Sequence, residues 1–349
     1  MKILSVVGAR PQFVKLAPVA DAITAAGAEH VIVHTGQHYD PLLSDVFFDD
    51  LAIPSPDVHL GVGSGSHGKQ TGAILAALDD VLAAHSPDWV LVYGDTNSTL
   101  AAAVSAVKMH LPLAHLEAGL RSFNRAMPEE HNRVLTDHAA DLLLAPTQVA
   151  LGHLRDEGLA DRTVVVGDVM TDVLYRTRGR ADPLPGAEEA VVATIHRAEN
   201  TDDPERLAAI VAELAGLVAG GRRVLLLAHP RLRAKAAAAG IDLTAGGVEA
   251  RDPLAYPALV ATVAASQGVV TDSGGLQKEA FLLQVPCTTV RTETEWTETV
   301  DLGWNVLVEP GGIAAAAARP RPADVDAAPY GTGDAAERAV AALADHLPR

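Results

Sequence analysis

Asp95, Glu117 and Glu129 are the acids that most sharply mark this sequence, and Arg121 and Arg133 accompany them. They occur in Val92-Tyr93-Gly94-Asp95-Thr96-Asn97-Ser98-Thr99, in His115-Leu116-Glu117-Ala118-Gly119-Leu120-Arg121 and in Pro128-Glu129-Glu130-His131-Asn132-Arg133. These stretches lie at the ends of apolar runs and in the loops after them, where functional side chains concentrate. An unpaired carboxylate is expensive to desolvate, so buried scaffolding rarely gathers so much charge there. The inventory suits proton transfer beside a departing phosphate, with carboxylates moving the proton and cations meeting the anion.

Further groups fit an anionic ligand. Gly8-Ala9-Arg10-Pro11-Gln12-Phe13-Val14-Lys15 leaves a first apolar run and enters a helix, so Arg10 and Lys15 fall where donors meet a phosphate. The plain alternative is a surface arginine and lysine near a helix start. Thr271-Asp272-Ser273-Gly274-Gly275-Leu276-Gln277-Lys278-Glu279-Ala280 has the same form later in the chain. Ser273, Gly274 and Gly275 would offer backbone N–H groups at a helix N-terminus as a pyrophosphate cradle, and Glu279 could accept from a ribose diol. Ser273 can serve as N-cap at the same time. His196 and His229 end two consecutive apolar runs and are read toward the site, as a cation or a proton carrier. His34 and His38 flank Thr35-Gly36-Gln37, where they could line a ligand or cap the loop.

Several classes are excluded or disfavoured. Gly63-Ser64-Gly65-Ser66-His67-Gly68-Lys69 spells most of a phosphate-binding P-loop, but Gln70 stands where Ser or Thr should ligate Mg²⁺, and no strand is read before it. Gly61-Val62-Gly63 lacks the rest of a dinucleotide fingerprint, so no NAD is expected, and with it no epimerisation by transient oxidation. Metal is unsupported too: there is no His-Glu-x-x-His, no cysteine pair and no Asp-x-Asp of the kind that holds Mg²⁺ on a sugar nucleotide. Cys287 is the single cysteine and is read as a buried core thiol. A net charge of −17 argues against a partner gripped through nucleic-acid phosphates. No apolar run reaches the roughly 18 residues of a membrane helix, and the start of the chain reads as a strand, not a signal peptide. The expected location is cytoplasmic.

The elements that would carry these residues alternate. Strands are expected at Ile3 to Val7, His30 to His34, Trp89 to Tyr93, Leu113 to Leu116, Leu142 to Ala145 and Val164 to Val166, with helices at Leu16 to Ala26, Ala73 to Ala84 and Thr99 to His110. The pattern restarts with strands at Val191 to Ile195, Arg223 to Leu227, Gly247 to Ala250, Gly268 to Thr271, Thr288 to Val290 and Val306 to Val308. Helices at Pro204 to Ala219, Tyr256 to Ala265 and Leu276 to Leu283 interleave with them. Continuous apolar strands alternating with helices predict parallel sheets covered on both faces. The fold class is therefore α/β, with two doubly wound, Rossmann-like domains facing a central cleft. Arg176 to Glu189 reads as a linker. The first domain is placed at 1–170 and the second at 171–333, with a helix near 334–349 expected to pack back on the first.

From Met1 to about Val308 the motifs Gly-Ala-Arg-Pro-Gln, Tyr-Gly-Asp-Thr, His-Leu-Glu-Ala-Gly-Leu-Arg, Pro-Glu-Glu-His-Asn-Arg and Thr-Asp-Ser-Gly-Gly closely resemble the non-hydrolysing UDP-N-acetylglucosamine 2-epimerase family. The resemblance implies the two-domain fold of B-type glycosyltransferases, a UDP-sugar substrate, no cofactor, a homodimer, and a place in cell-surface polysaccharide biosynthesis. It assigns catalysis to Asp95, Glu117, Glu129, His196, Lys15 and Arg133. It assigns substrate binding to Arg10, Lys15, His229, Ser273, Gly274, Gly275 and Glu279. The expected reaction interconverts UDP-N-acetylglucosamine and UDP-N-acetylmannosamine through 2-acetamidoglucal. One departure stands out: Thr294-Glu295-Trp296-Thr297-Glu298 replaces the Thr-Glu-Arg-Pro-Glu of many such epimerases. With His34 to Asp40, Asn97-Ser98-Thr99 and Ser122-Phe123-Asn124, it looks more like relatives acting on UDP-2,3-diacetamido-glucuronate. The loop around Lys69 and Gln70 matches the family's allosteric site only loosely. A hydrolysing epimerase, a B-type glycosyltransferase and a non-catalytic sugar-nucleotide sensor are the competing classes.

Overall fold

The computed structural model describes residues 1–37, 54–324 and 327–347, with the side chain of Arg10 outside that description; His38, and the rest of the segment running to Asp40, also fall outside it. Strands β1 (Lys2–Val7), β2 (Glu29–His34), β3 (Val58–His59), β4 (Trp89–Tyr93), β5 (Leu113–Leu116), β6 (Leu142–Ala145) and β7 (Thr163–Val165) form one sheet. Its order is β3-β2-β1-β4-β5-β6-β7 and every pairing is parallel. Ile3, Leu4, Val6, Val7 and the whole of β4 are buried, as strands covered on both faces must be. The helices of this unit are α1 (Arg10–Ala25), α2 (His67–His85), α3 (Asn97–Lys108), α4 (Pro128–Ala139), α5 (Gln148–Asp156) and α6 (Val169–Thr177).

The second sheet comprises β8 (Ala190–Thr194), β9 (Arg223–Leu227), β10 (Glu249–Arg251), β11 (Gly268–Thr271), β12 (Cys287–Thr289) and β13 (Asn305–Leu307). Its order is β10-β9-β8-β11-β12-β13, again parallel. Helices α7 (Pro204–Ala219), α8 (Pro230–Ala238), α9 (Tyr256–Ala265) and α10 (Gly274–Leu282) accompany it, and α11 (Ala335–Asp345) closes the described chain. The compact units are Met1–Tyr175 with Ala328–Arg349, and Arg176–Ala327. Each is a doubly wound α/β sheet, the expected class. In each, strand order reverses between two central strands, β1 and β4 in one and β8 and β11 in the other. Loops leaving the carboxyl ends at such a switch point diverge and leave a crevice for ligand.

Helix α11 is part of the first core. Ala335, Ala336, Ala339, Val340 and Leu343 pack with Leu16, Val19 and Ile23 of α1. Its N-terminal amides are met by Asp172, whose two carboxylate oxygens accept from Ala335 N (3.1 Å) and Ala336 N (2.8 Å), a favourable site for an acid. Near its other end Trp89 Nε1 donates to the Leu343 carbonyl at 2.9 Å.

Where the structure departs from the sequence reading, polarity explains it. A short strand, β3, does precede the Gly63 loop, correcting the expectation of none; two residues are too few to show a pattern. Helix α4 is invisible to hydrophobic periodicity because its inward face is Glu130, Asn132, Arg133, Thr136 and Asp137. The supposed linker begins inside α6 and is tied down at Leu184, whose N–H donates to Thr262 Oγ1 at 3.0 Å. Strand β10 starts after Gly247 because left-handed Gly246 and Gly247 close a turn there.

Two histidines make stability pH-dependent. His34 Nδ1 accepts the Gly36 N–H at 2.7 Å, and its ring lies between Phe13 and His59. Burial, then the neighbouring His59, push its pKa down to about 4. Burial also pushes His30 to about 4, against a smaller pull from Asp57. Both are thus depressed below the unfolded value of roughly 6.5. The unfolded chain takes up these protons first, so their contribution is complete above that value and is lost as pH falls toward 4. Thermal unfolding followed from pH 7 to 4.5 is expected to show a falling Tm, and His34→Gln to flatten part of that slope. A slope unchanged by the substitution would show that His34 does not couple to folding.

Candidate active site

On the first unit the switch-point loops are built around Gly8 and Gly94. A Cβ at Gly8 would lie 2.1 Å from Thr35 Oγ1 and 2.2 Å from Ser98 Oγ, so only glycine admits this approach. Gln12 fastens the loop: its Oε1 accepts from Gly8 N (2.8 Å) and Ala9 N (3.0 Å). Its Nε2 donates to the Tyr93 carbonyl (2.7 Å) and Thr99 Oγ1 (3.0 Å). The β1 loop and the β4 loop are therefore one rigid piece. Gly94 has φ 59°, and a Cβ there would meet Glu117 Oε2 at 3.1 Å and Lys15 Nζ at 3.5 Å.

Two ion pairs occupy this place. Lys15 Nζ bonds Glu117 Oε2, and both side chains are nearly buried. Burial would lower the Lys15 pKa, but Glu117 beside it, helped by Asp95 and Asp168, raises it above the ordinary value. Arg133 bonds Asp95 through Nη2 and, at 3.1 Å, through Nε, while its Nη1 donates to Glu130 at 2.9 Å. Asp95 remains partly open, at 30% side-chain exposure. Glu117 is held at φ 72°, a left-handed conformation uncommon for a side-chain-bearing residue and frequent at functional positions. Lys15, Asp95, Glu117 and Arg133 are thus brought together.

Glu129 is exposed in the first turn of α4, while its neighbour Glu130 is buried. Glu130 accepts from Ser122 N and Oγ (2.9 Å each) and from Phe123 N (2.9 Å). Burial opposes its ionisation, yet these donors and Arg133 hold its pKa below the usual carboxylate range. Glu130 is a clamp on the loop after β5 that the sequence reading did not single out. Asn132 is another, donating to the Asp95 carbonyl at 2.9 Å. Gln70, singled out as a misfit P-loop residue, instead donates to the Gly63 (2.8 Å) and Gln37 (3.3 Å) carbonyls and accepts from Asn97 at 2.8 Å.

On the second unit Ser273 caps α10, its Oγ accepting from Leu276 N at 3.3 Å, as the N-cap reading of that residue expected. Arg291 Nη1 and Arg197 Nη2 would lie 3.7 and 3.8 Å from a Cβ at Gly274, placing two guanidinium groups beside the helix N-terminus. Two guanidinium groups at a helix N-terminus suit an anion, and Glu295 Oε1, 3.8 Å from the same Cβ position, now shares that place. Arg291 also pairs with Glu295 at 2.9 Å. Glu279 accepts from the Tyr256 hydroxyl at 2.9 Å. His196 is half-exposed at the end of β8, and His229 caps α8 with its Nδ1 accepting Arg231 N at 3.3 Å. Both line a cavity of about 150 Å³ with Leu227, Pro253, Leu254 and Leu259. That is below the roughly 300–1,000 Å³ of a whole-ligand pocket, so it has room for one ring of a larger molecule.

Asp272 is the residue that sequence reasoning passed over here. It is fully buried and accepts from His196 N (3.1 Å), Arg197 N (3.0 Å) and Asn200 Nδ2 (3.0 Å), with the His196 ring at 3.3 Å. Its place between Thr271 and Ser273 was the available signal. Trp296 is also buried, with Lys278 Nζ 4.0 Å from its ring centre, so the indole props α10. Cys287 is buried and its thiol is pushed up to about 12 by that burial, which leaves it inert.

Two doubly wound units of this kind define the fold class shared with B-type glycosyltransferases. Within that class the chain belongs to the UDP-N-acetylglucosamine 2-epimerase family, whose sequence profile matches residues 21–344. It is 48% identical over 315 residues to the UDP-2,3-diacetamido-2,3-dideoxy-D-glucuronate 2-epimerase of Pseudomonas aeruginosa, covering 88% of each chain. It is 37% identical over 323 residues to the UDP-N-acetylglucosamine 2-epimerase of Methanocaldococcus jannaschii, again covering 88% of each. The crystal structure of the Methanocaldococcus jannaschii enzyme in complex with UDP-GlcNAc and UDP superposes with a TM-score of 0.84 and 34% identity, covering 99% of this chain and 100% of that one.

Proposed function

We propose that the protein inverts C2 of a UDP-linked 2-acetamido sugar without hydrolysing it, with UDP-N-acetylglucosamine and UDP-N-acetylmannosamine as the parent pair. The observation that carries this reading is the double pairing of Lys15 with Glu117 and Arg133 with Asp95 at one switch point. C2–H of such a sugar is hardly acidic. If the C1–O bond to UDP breaks as the proton leaves, its electrons go to the departing diphosphate, and the developing positive charge at C1 acidifies C2–H. Loss of that proton to a carboxylate gives 2-acetamidoglucal and UDP. Return of a proton to the opposite face of C2, with UDP oxygen adding back to C1, completes the inversion. Asp95, Glu117 and Glu129 share the proton transfers in this reading, and Lys15, Arg133 and His196 stabilise the charge. Arg10, His229, the Ser273-Gly274-Gly275 turn and Glu279 hold UDP. The two units serve as acid-bearing and UDP-binding domains of a cytoplasmic homodimer that supplies cell-surface polysaccharide synthesis.

A second substrate, UDP-2,3-diacetamido-2,3-dideoxy-glucuronate, is favoured by the higher identity to the Pseudomonas aeruginosa enzyme than to the Methanocaldococcus jannaschii one. It keeps the 2-acetamido group and the C1–O–UDP bond, so the same chemistry serves. Incubation of each UDP-sugar in D₂O, followed by NMR, tests both. The expected result is deuterium at C2 and a reversible mixture of two UDP-sugars, and the faster substrate is the native one. Accumulating free sugar would mark a hydrolysing enzyme, and full retention of C2–H in both would overturn the reading.

A further inference from the structure

Asp95 and Glu117 follow neighbouring strands, β4 and β5, and their carboxylates are held by Lys15 and Arg133. The backbone beneath them is set by a different group. His115, the third residue of β5, is fully buried, so it touches no ligand. Its Nε2 lies 2.7 Å from the Gly94 carbonyl oxygen and its Nδ1 lies 2.7 Å from Asp137 Oδ1. A carbonyl only accepts, so Nε2 carries a hydrogen and donates it; one proton is shared between Nδ1 and Asp137. The other Asp137 oxygen accepts from Gly119 N (3.1 Å) and Arg121 Nη1 (2.7 Å). Arg121 is in turn gripped through Nε and Nη2 by Glu157, at 2.7 and 2.8 Å.

One connected run of hydrogen bonds therefore joins the peptide before Asp95 to the peptide two residues after Glu117. Both peptides lie where the backbone is left-handed, at Gly94, Glu117 and Gly119. The run is anchored on α4, the helix that also carries Arg133 and Asn132. An apolar side chain at position 115 could fill the same space but could not orient the Gly94 carbonyl.

We propose that the His115–Asp137 pair is a positioning element that fixes the Gly94–Asp95 turn against the left-handed Glu117, so that the rate of the C2 proton transfers depends on it and nucleotide affinity does not. The proposal rests on the epimerase reading above for what is being positioned. A misplacement of about 1 Å in a reacting group can lower turnover on the order of 10²-fold.

His115→Asn places an amide near the Nδ1 position, within reach of Asp137 but too short for the Gly94 carbonyl; His115→Gln reaches toward that carbonyl. The expected result is a loss of about 10²-fold in kcat for His115→Asn, with KM and UDP affinity unchanged, and substantial recovery in His115→Gln. Turnover is expressed per folded molecule, from a thermal melt of each sample. Asp137→Asn, which keeps the shape and lowers kcat by a smaller factor, serves if either His115 variant fails to fold. A melt shifted downward with wild-type turnover per folded molecule in all variants would overturn the proposal. Absence of C2 exchange in the wild type itself would defeat the epimerase reading instead. Positioning is then judged on the backbone amide NMR signals of Gly94, Asp95 and Glu117, which must move in His115→Asn and which overturn the proposal if they do not.

Discussion

Replacing Glu117 with Gln or Asp95 with Asn is expected to lower turnover by about 10²–10⁴-fold, the range for losing a positioned proton-transfer group. Binding of UDP should survive, because the turn proposed to hold its phosphates, Ser273 to Gly275, lies on the other unit. Folding must be measured alongside. Glu117→Gln leaves the Lys15 ammonium, which burial disfavours, without the carboxylate that holds its pKa up. Asp95→Asn still leaves Arg133 its bond to Glu130. The cleanest arm is Glu129→Gln. Glu129 is exposed, so its substitution should leave the unfolding midpoint within the small range typical of surface changes. Any loss of turnover there is chemical. C2–H exchange in D₂O, read per folded molecule, separates these effects, and wild-type exchange in all three variants would refute the roles given to the three acids.

Removing Asp272 should have the largest effect on stability. Asp272→Ala would strip the amides of His196 and Arg197 and the Asn200 side chain of their shared acceptor inside a fully buried site. Breaking a buried charged or hydrogen-bonded constellation by deleting one member typically costs about 3–5 kcal/mol. The loop after β8 and the α10 turn are joined through this carboxylate, so UDP affinity should fall with stability. Asp272→Asn, which can still accept through one oxygen, should recover part of both. Denaturant unfolding and UDP titration of the two variants provide the check; an alanine variant as stable as the wild type would contradict the role assigned here.

The sheets were legible because their strands are continuous apolar runs: β4 and β5 have the bounds that the pattern predicts. So were the acids, because Asp95 and Glu117 interrupt apolar segments with charge that needs a purpose. What escaped was structure whose inward face is polar. Helix α4 turns Glu130, Asn132, Arg133 and Asp137 inward, and a reading by hydrophobic period has nothing to register there. Gln12, Glu130 and Asp272 escaped for a related reason. Each works by accepting from or donating to backbone groups of a loop outside its own element, and the position of that loop is a property of the fold. Trp296 was legible as a departure from the family pattern, and the structure adds that it is buried beneath Lys278, where it supports α10.

The packing of α11 into the first unit has a consequence for how the chain is made. Residues 176–327 are contiguous, so the unit they form needs no segment from beyond its own span. The unit that precedes it is split, and its helix α11 is made after both stretches. Until Ala335 to Leu343 have been synthesised, the contacts that Asp172, Trp89 and the α1 surface make with α11 cannot form. During translation the first unit therefore exposes apolar α1 surface that a chaperone would need to shield. A released chain truncated before Ala335 should be nicked by protease more readily in the first unit than in the second.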